Sequence, residues 1–152
     1  MLTVNRLREF VAEAVAEIES IQVGKVVVTK DEIVTFMQEH NEEDNHLLIG
    51  IVPEHDIVGN TDALMSDNDL GFYVLAKTDI SEYDHDGYLD LFANAQTAAR
   101  ELVAFIAASD ENQTALCGLF QNLDEISFPI SPIKGLAGCN GYFVGVNFRS
   151  EF

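Results

Sequence analysis

The chain has 152 residues, 47% of them hydrophobic, so it has the length of one domain and enough apolar residues for a core. Twenty-six Asp and Glu oppose eight Lys and Arg, a formal net charge of −18. Such a surface repels phosphates, which argues against binding nucleic acid or anionic membranes through a basic patch. Solubility or a salt-adapted host explains this charge without a function. A basic partner, bound cations, or a surface past which DNA slides are the functional explanations.

Targeting and cysteine signals are weak. The chain has no run of 18 apolar residues, and its start, "MLTVNRLREF", lacks the basic and apolar segments of a signal peptide. We therefore expect folding in a cytoplasm, with no membrane partner. Cys117 and Cys139 lie in no zinc-ligand pattern and are predicted to be small buried hydrophobes. Residues 1–152 are interpreted as a single domain.

The first elements follow from hydrophobic periodicity. Residues 3–19 are predicted to form an amphipathic helix with Thr3 as its N-cap. The β-branched run at 25–28 indicates a short strand. Residues 29–40 begin with the Thr-x-x-Glu spacing of a capping box, but they fit a short helix and a strand almost equally, and both remain open.

The middle of the chain alternates polar and apolar segments. Residues 40–46 are predicted to be a polar turn, and 47–52 a strand that ends at Pro53. Residues 54–69 are rich in Asp, Asn and Gly, which predicts a long acidic loop. The strand predicted at 70–78 is apolar on both faces and therefore belongs near the centre of a sheet.

The last third predicts a long helix at 88–108, a short helix capped by Ser109 or Asp110, and strands at 126–131 and 142–149. The apolar positions of the short helix are Leu116, Leu119, Phe120 and Leu123. The two strands form a hairpin joined by a long loop, "PIKGLAGCNG". Together the elements predict an α+β fold: a mixed or antiparallel sheet with helices packed on one face and a C-terminal β-hairpin.

The segment "YDHDGYLD" at 83–90 is the first candidate for chemistry, as a metal loop, a catalytic carboxylate cluster or an acidic helix start. Its residues include Asp84, Asp86 and Asp90, beside His85 and Gly87. An EF-hand loop that begins at Asp84 or at Asp79 places ligands and glycine at the wrong positions. We therefore predict that Asp84 or Asp86 is a helix N-cap and that the other carboxylates are solvated.

The remaining candidates are weaker still. His40, His46 and His55 are scattered. His46, His55 and Asp56 are residue types that bind metals, but no spacing among them demands a metal site. Cys117 falls on the apolar side of a predicted helix, and there is no GxSxG motif. "GLAGCNG" lacks the ending of a phosphate-binding loop and is interpreted as a hairpin tip. We predict no catalytic residue, no metal site and no cofactor, and hence not an enzyme.

The order of elements resembles that of small neck and tail-terminator proteins of tailed bacteriophages. The resemblance lies in the N-terminal helix, "LGFYVLAKT", "YLDLFANAQTAARELVAFIAA" and "EISFPI…GYFVGVNFRSEF". It implies a structural virion protein, assembled in the host cytoplasm into a homo-oligomeric ring with neighbouring virion proteins and without catalytic residues. DNA would pass through the lumen without tight binding, because negative walls do not hold phosphates. The acidic segment 54–69 is not explained by this resemblance.

Two other hypotheses stay open. The chain is alternatively a small acidic inhibitor, a DNA mimic that binds a basic partner protein. The third hypothesis is an enzyme or ligand-binding domain with an unrecognised site, which requires a deep pocket with converging polar groups.

Overall fold

The computed structural model describes residues 2–60, 62–119 and 126–151, and within them three α-helices and five β-strands. In chain order these are α1 (Val4–Glu17), β1 (Val23–Val27), α2 (Asp31–Glu39), β2 (Leu47–Asn60), β3 (Ala63–Lys77), α3 (His85–Ala107), β4 (Ile130–Leu136) and β5 (Cys139–Glu151). Short 3-10 turns occupy Glu42–Asp44 and Ile80–Glu82.

The five strands form one mixed sheet in the order β1-β2-β3-β5-β4. β1 runs parallel to β2, and the other neighbours are antiparallel. This confirms the predicted α+β fold and its C-terminal hairpin. The central position predicted for residues 70–78 is confirmed too, because β3 is the middle strand.

Helices α1 and α3 cover one face of the sheet, where the main core lies. Side chains alternate along β3, so Phe72 faces these helices while Tyr73 faces away. The Phe10 ring lies 5.6 Å from that of Phe72 and 5.5 Å from that of Phe105, measured between centroids. The predicted N-cap is confirmed, since the Thr3 hydroxyl accepts from the Arg6 backbone N–H.

Helix α2 resolves the open assignment of residues 29–40 as a helix. It packs on the opposite face of the sheet, so the prediction that the helices share one face holds for α1 and α3 but not for α2. Ile33 and Met37 bury its inner side in a second cluster with Tyr73. The Lys77 ammonium group donates to the carbonyls of Met37, at 3.2 Å, and His40, at 2.6 Å. A lysine on the sheet thus holds carbonyls at the end of α2, where cations are favoured. The rest of this face has no helix over it in the described residues.

The predicted acidic loop at 54–69 is wrong. β2 continues past Pro53 through an irregularity between Ile51 and Glu54, and it stays paired with β3 as far as Asn60. Because β1 pairs only with residues 47–51 of β2, the proline blocks no ladder on that side. We call the strand segments 54–60 and 63–69 the arm.

Two other predictions near the C-terminus need correction. Residues 109–119 form turns and no helix, while Phe120 and Leu123 of the predicted short helix lie outside the described residues. The predicted long loop is mostly strand, since β4 runs to Leu136. The hairpin closes at Ala137 and Gly138, which have φ of 51° and 80°, as a two-residue type I′ turn requires.

Candidate interaction surface

Four carboxylates lie directly opposite one another on the arm. In the register of β2 with β3, Glu54 pairs with Asp69 and Asp56 pairs with Asp67. Partners across an antiparallel pair point to the same side, so all four carboxylates share one face. Glu54, Asp56 and Asp69 are exposed, and Asp67 is partly exposed. We call these four residues the carboxylate face; it lies on the side of the sheet that carries α2.

One ion pair within the described part of the chain offsets some of this negative charge. On β5, Arg149 lies opposite Asp67 and donates to both of its carboxylate oxygens, with Nη2 at 2.9 Å from Oδ2. The hydrogen bond from Arg149 lowers the pKa of the Asp67 carboxyl below its ordinary value. The pair is solvent-exposed and therefore contributes little to stability. Like charges directly opposite on a sheet are destabilising, so this surface is suited to a basic partner.

Replacing Asp69 by lysine is expected to stabilise the isolated chain, because the substitution turns a repulsive pair with Glu54 into an attractive one. The urea midpoint should rise at low ionic strength, and the gain should shrink as salt screens the charges. Asp90→Lys on α3 is the matched control, since it changes net charge equally without altering the arm. An equal gain in both variants would show that net charge alone matters.

The other side of the arm carries a polar network that joins three strands. The buried Asn68 side chain lies at its centre, with the ring Nδ1 of His55 at 2.8 Å from its Oδ1. Its amide nitrogen donates to the Phe148 carbonyl and to the Ser150 hydroxyl. Each of β2, β3 and β5 contributes to this network. We infer that the network fixes the arm relative to the core, so that the carboxylate face has a defined geometry.

The acidic segment 83–90 forms the start of α3. The Asp84 carboxylate accepts from the Gly87 backbone N–H at 2.8 Å, which confirms the predicted N-cap. Nearby, Asp79 accepts from the hydroxyl and the backbone N–H of Ser81, and these hydrogen bonds lower the pKa of the Asp79 carboxyl. Within the described ranges, no three His, Cys, Asp or Glu side chains gather as metal ligands would.

Removing the Asp84 N-cap of α3 is expected to lower the stability of the protein. Asp84→Ala should lower the free energy of unfolding by about 1 kcal/mol, the usual cost of losing an N-cap. Asp86→Ala is the matched control and should have a smaller effect, since Asp84 carries the cap hydrogen bond. Chemical denaturation measures both. Calorimetry should detect no saturable calcium binding in the unsubstituted protein; micromolar binding abolished by Asp86→Ala would contradict the structural role.

The structure does not bring the predicted histidine pair together. The His46 ring bonds to the Ser20 carbonyl, whereas His55 bonds to Asn68 on the arm. Eight residues of the strand β2 lie between the two histidines, which separates them along the chain by roughly 30 Å. The third histidine, His40, is buried and lies 3.1 Å from the Asn45 side-chain oxygen. Each of these three rings therefore has a local structural partner.

The cysteines differ from each other. Cys139 is buried beside Met37, and burial raises the pKa of its thiol to about 11. Cys117 is partly exposed and lies in a turn, so its predicted burial on the apolar side of a helix is wrong. The stretch "GLAGCNG" is the end of β4, the tight turn and the start of β5.

The burial of Cys139 should make the stability of the protein depend on pH in the alkaline range. Burial raises the pKa of the Cys139 thiol from its ordinary value of 9.0 to about 11, so the unfolded chain loses this proton first as the pH rises. Stability should therefore fall as pH rises from about 9 to about 11. Urea midpoints compared for the unsubstituted protein and Cys139→Ala should show a shallower alkaline decline in the variant. Identical slopes would contradict this.

The carboxylate face was missed by sequence reasoning. The available signal was the near-mirror pair "EHD" at 54–56 and "DND" at 67–69, which lie at equal distances on either side of positions 61 and 62. A hairpin brings such segments into register, but the polar composition favoured a loop.

A scan against protein-family models and a search of curated proteins each find no match to this chain. Among the described residues, no helix combines the length and the apolar character needed to cross a membrane.

Proposed function

We propose that this chain is a structural virion protein of a tailed bacteriophage, forming a homo-oligomeric ring at the head–tail neck or the tail terminus. The observation that carries the proposal is the arm. It is formed by β2 and β3 and held by the pairing of β3 with β5, and its exposed face presents four carboxylates that lie opposite one another on neighbouring strands. An extension held by three strands, with one ion pair for its four carboxylates among the described residues, is suited to contact another subunit. An acidic lumen would let DNA pass without holding its phosphates. The proposal includes no catalytic role.

The small-inhibitor alternative is favoured by the same carboxylate face, because a DNA mimic presents ordered negative charge to a basic partner. The two functions differ in stoichiometry. A ring protein meets copies of itself, whereas a mimic acts as a monomer or dimer and competes with DNA for its target.

Mass spectrometry of purified tailed particles from cells that carry this gene, with negative-stain microscopy of the isolated protein, tests the proposal. We expect the protein in the particles at several copies each, and ring-shaped assemblies in the images. A gel-shift assay should detect no complex with duplex DNA. Absence from the particles, together with competition against DNA for a basic protein, would replace the proposal with the inhibitor alternative.

A further inference from the structure

Two stretches of strand have a backbone edge with no strand beside it in the described part of the chain. β1 is the first strand of the sheet order, so its outer side faces no other strand. β1 pairs with β2 only over Leu47–Ile51, so the outer side of β2 along the arm, residues 54–60, is also unpaired. The opposite edge strand, β4, contains Pro132, which has no backbone N–H to offer an added strand.

The free edge of β1 lies in a groove of about 630 Å³ between α1 and α2. Its lining is mostly apolar and includes Val15 from α1, Val26 from β1 and Phe36 from α2. At the groove, Val4 is 45% exposed and Val28 is 65% exposed, so apolar side chains face solvent beside the open strand edge. An apolar strand edge of this kind is a template for strand addition.

The groove is also basic in a chain of strongly acidic charge. Arg8 of α1 and Lys25 of β1 line it, and the Lys25 ammonium group lies 5.7 Å from the centroid of the Phe36 ring. Three of the other cations are engaged within the fold: Arg6 donates to carbonyls of the turn after α3, Lys77 to those of α2, and Arg149 to Asp67. Arg8 and Lys25 are therefore placed to receive an acidic partner.

The arm complements this groove. Its β2 segment carries Glu54 and Asp56, which match the groove in charge, and Ile57, which is 45% exposed and matches its apolar lining. This segment has seven residues and β1 has five, so the two free edges are long enough to pair along all of β1.

We infer that the arm of one copy adds, through the outer edge of residues 54–60, to the β1 edge of a second copy. This inference rests on the proposed function and names the contact that builds the ring. The two surfaces of the contact are different parts of the chain, so the interface is heterologous when one arm fills one groove and the reciprocal arm and groove stay free for further copies. Each copy offers one arm and one groove, and such an interface propagates until rotation closes a ring.

Two substitutions block one surface each. Val4→Asp places a charge in the groove and leaves the arm intact, because Val4 is 45% exposed at the groove and lies on α1, while Ile57→Asp does the reverse. Val34→Asp is the matched control, because Val34 is 46% exposed on α2 and outside the groove lining. Light scattering coupled to size-exclusion chromatography should show assembly for the unsubstituted protein and for Val34→Asp. For each blocking variant, the concentration at half assembly should rise about tenfold or more.

Mixing the two blocking variants gives the sharpest result. One intact arm and one intact groove remain between them, so the mixture should form 1:1 dimers that grow no further. If circular dichroism shows a blocking variant to be unfolded, a reversal of two charges is the test instead. Lys25→Glu and Asp56→Lys should each weaken assembly when made alone. The two substitutions combined in one chain should restore assembly.

The outcomes separate the inference from the proposed function. Unchanged assembly in folded blocking variants, no dimers in their mixture, or no restoration by the combined charge reversal would overturn the arm–groove contact while the ring proposal stands. An unsubstituted protein that is monomeric under every condition would overturn both.

Discussion

Replacing Gly141 by alanine is expected to leave no cooperatively folded protein. A Cβ atom at Gly141 would overlap the Val74 carbonyl oxygen and lie 3.0 Å from the Leu75 Cα, and both are backbone atoms of the central strand β3. Gly141 also pairs with Ile133 of β4, so the strand is held on both sides. Overpacking against side chains costs about 1–3 kcal/mol, and a backbone neighbour has less freedom to move.

Gly87→Ala is the control for this prediction. A Cβ at Gly87 meets the Asp84 carboxylate at 3.1 Å and the Tyr83 ring at 3.3 Å. These are side chains, which shift more easily than the hydrogen-bonded backbone of a central strand. Circular dichroism during thermal and urea unfolding measures both variants. A cooperative transition for Gly141→Ala near that of the unsubstituted protein would show that β5 separates from β3 without loss of the fold.

Phe72→Ala is expected to lower the free energy of unfolding by about 3–5 kcal/mol, the usual cost of truncating a fully buried phenylalanine. The ring packs on Phe10, which in turn packs on Phe105 of α3, so its loss leaves a cavity where both helices meet the sheet. Domains have free energies of unfolding of about 5–15 kcal/mol, so this one substitution removes a large share of the total stability.

Leu89→Ala provides the comparison, because Leu89 is 51% exposed on α3 and its truncation opens no cavity. Urea unfolding at equilibrium should shift the midpoint strongly for Phe72→Ala and slightly for Leu89→Ala. Similar shifts in the two variants would contradict the position assigned to Phe72 at the centre of the core.

Strong periodicity made the core elements predictable from sequence. α1 and α3 carry apolar residues at helical spacing and begin at polar caps, Thr3 and Asp84. The apolar run in β3 predicted a central strand, because a strand is apolar on both faces only when both faces are buried. Helical periodicity, capping residues and apolar runs are local patterns, so they can be interpreted without knowing which elements pack together.

The arm and β4 were not predictable because tertiary pairing overrides local composition there. Asp, Asn and Gly disfavour strands, yet the arm is held by its ladder to β3 and by the Asn68 network. In β4, Pro132 suggests a loop, but it occupies an edge strand, where proline is tolerated. The carboxylate face depends on the register between β2 and β3, which neither segment reveals alone.

The net charge of −18 sets how assembly should respond to salt. Copies of this chain repel at long range, and added salt screens that repulsion. In the proposed contact, the acidic arm and the basic groove would be partly desolvated, so their attraction would be screened less. Assembly should therefore improve with ionic strength or divalent cations.

The most direct test of the central claim is light scattering of the unsubstituted protein across a series of salt and protein concentrations. A closed homo-oligomer predicts a mass that rises with salt to a plateau at one integer multiple of 16.8 kDa and stays there at higher protein concentration. A monomer at every salt concentration would contradict the account.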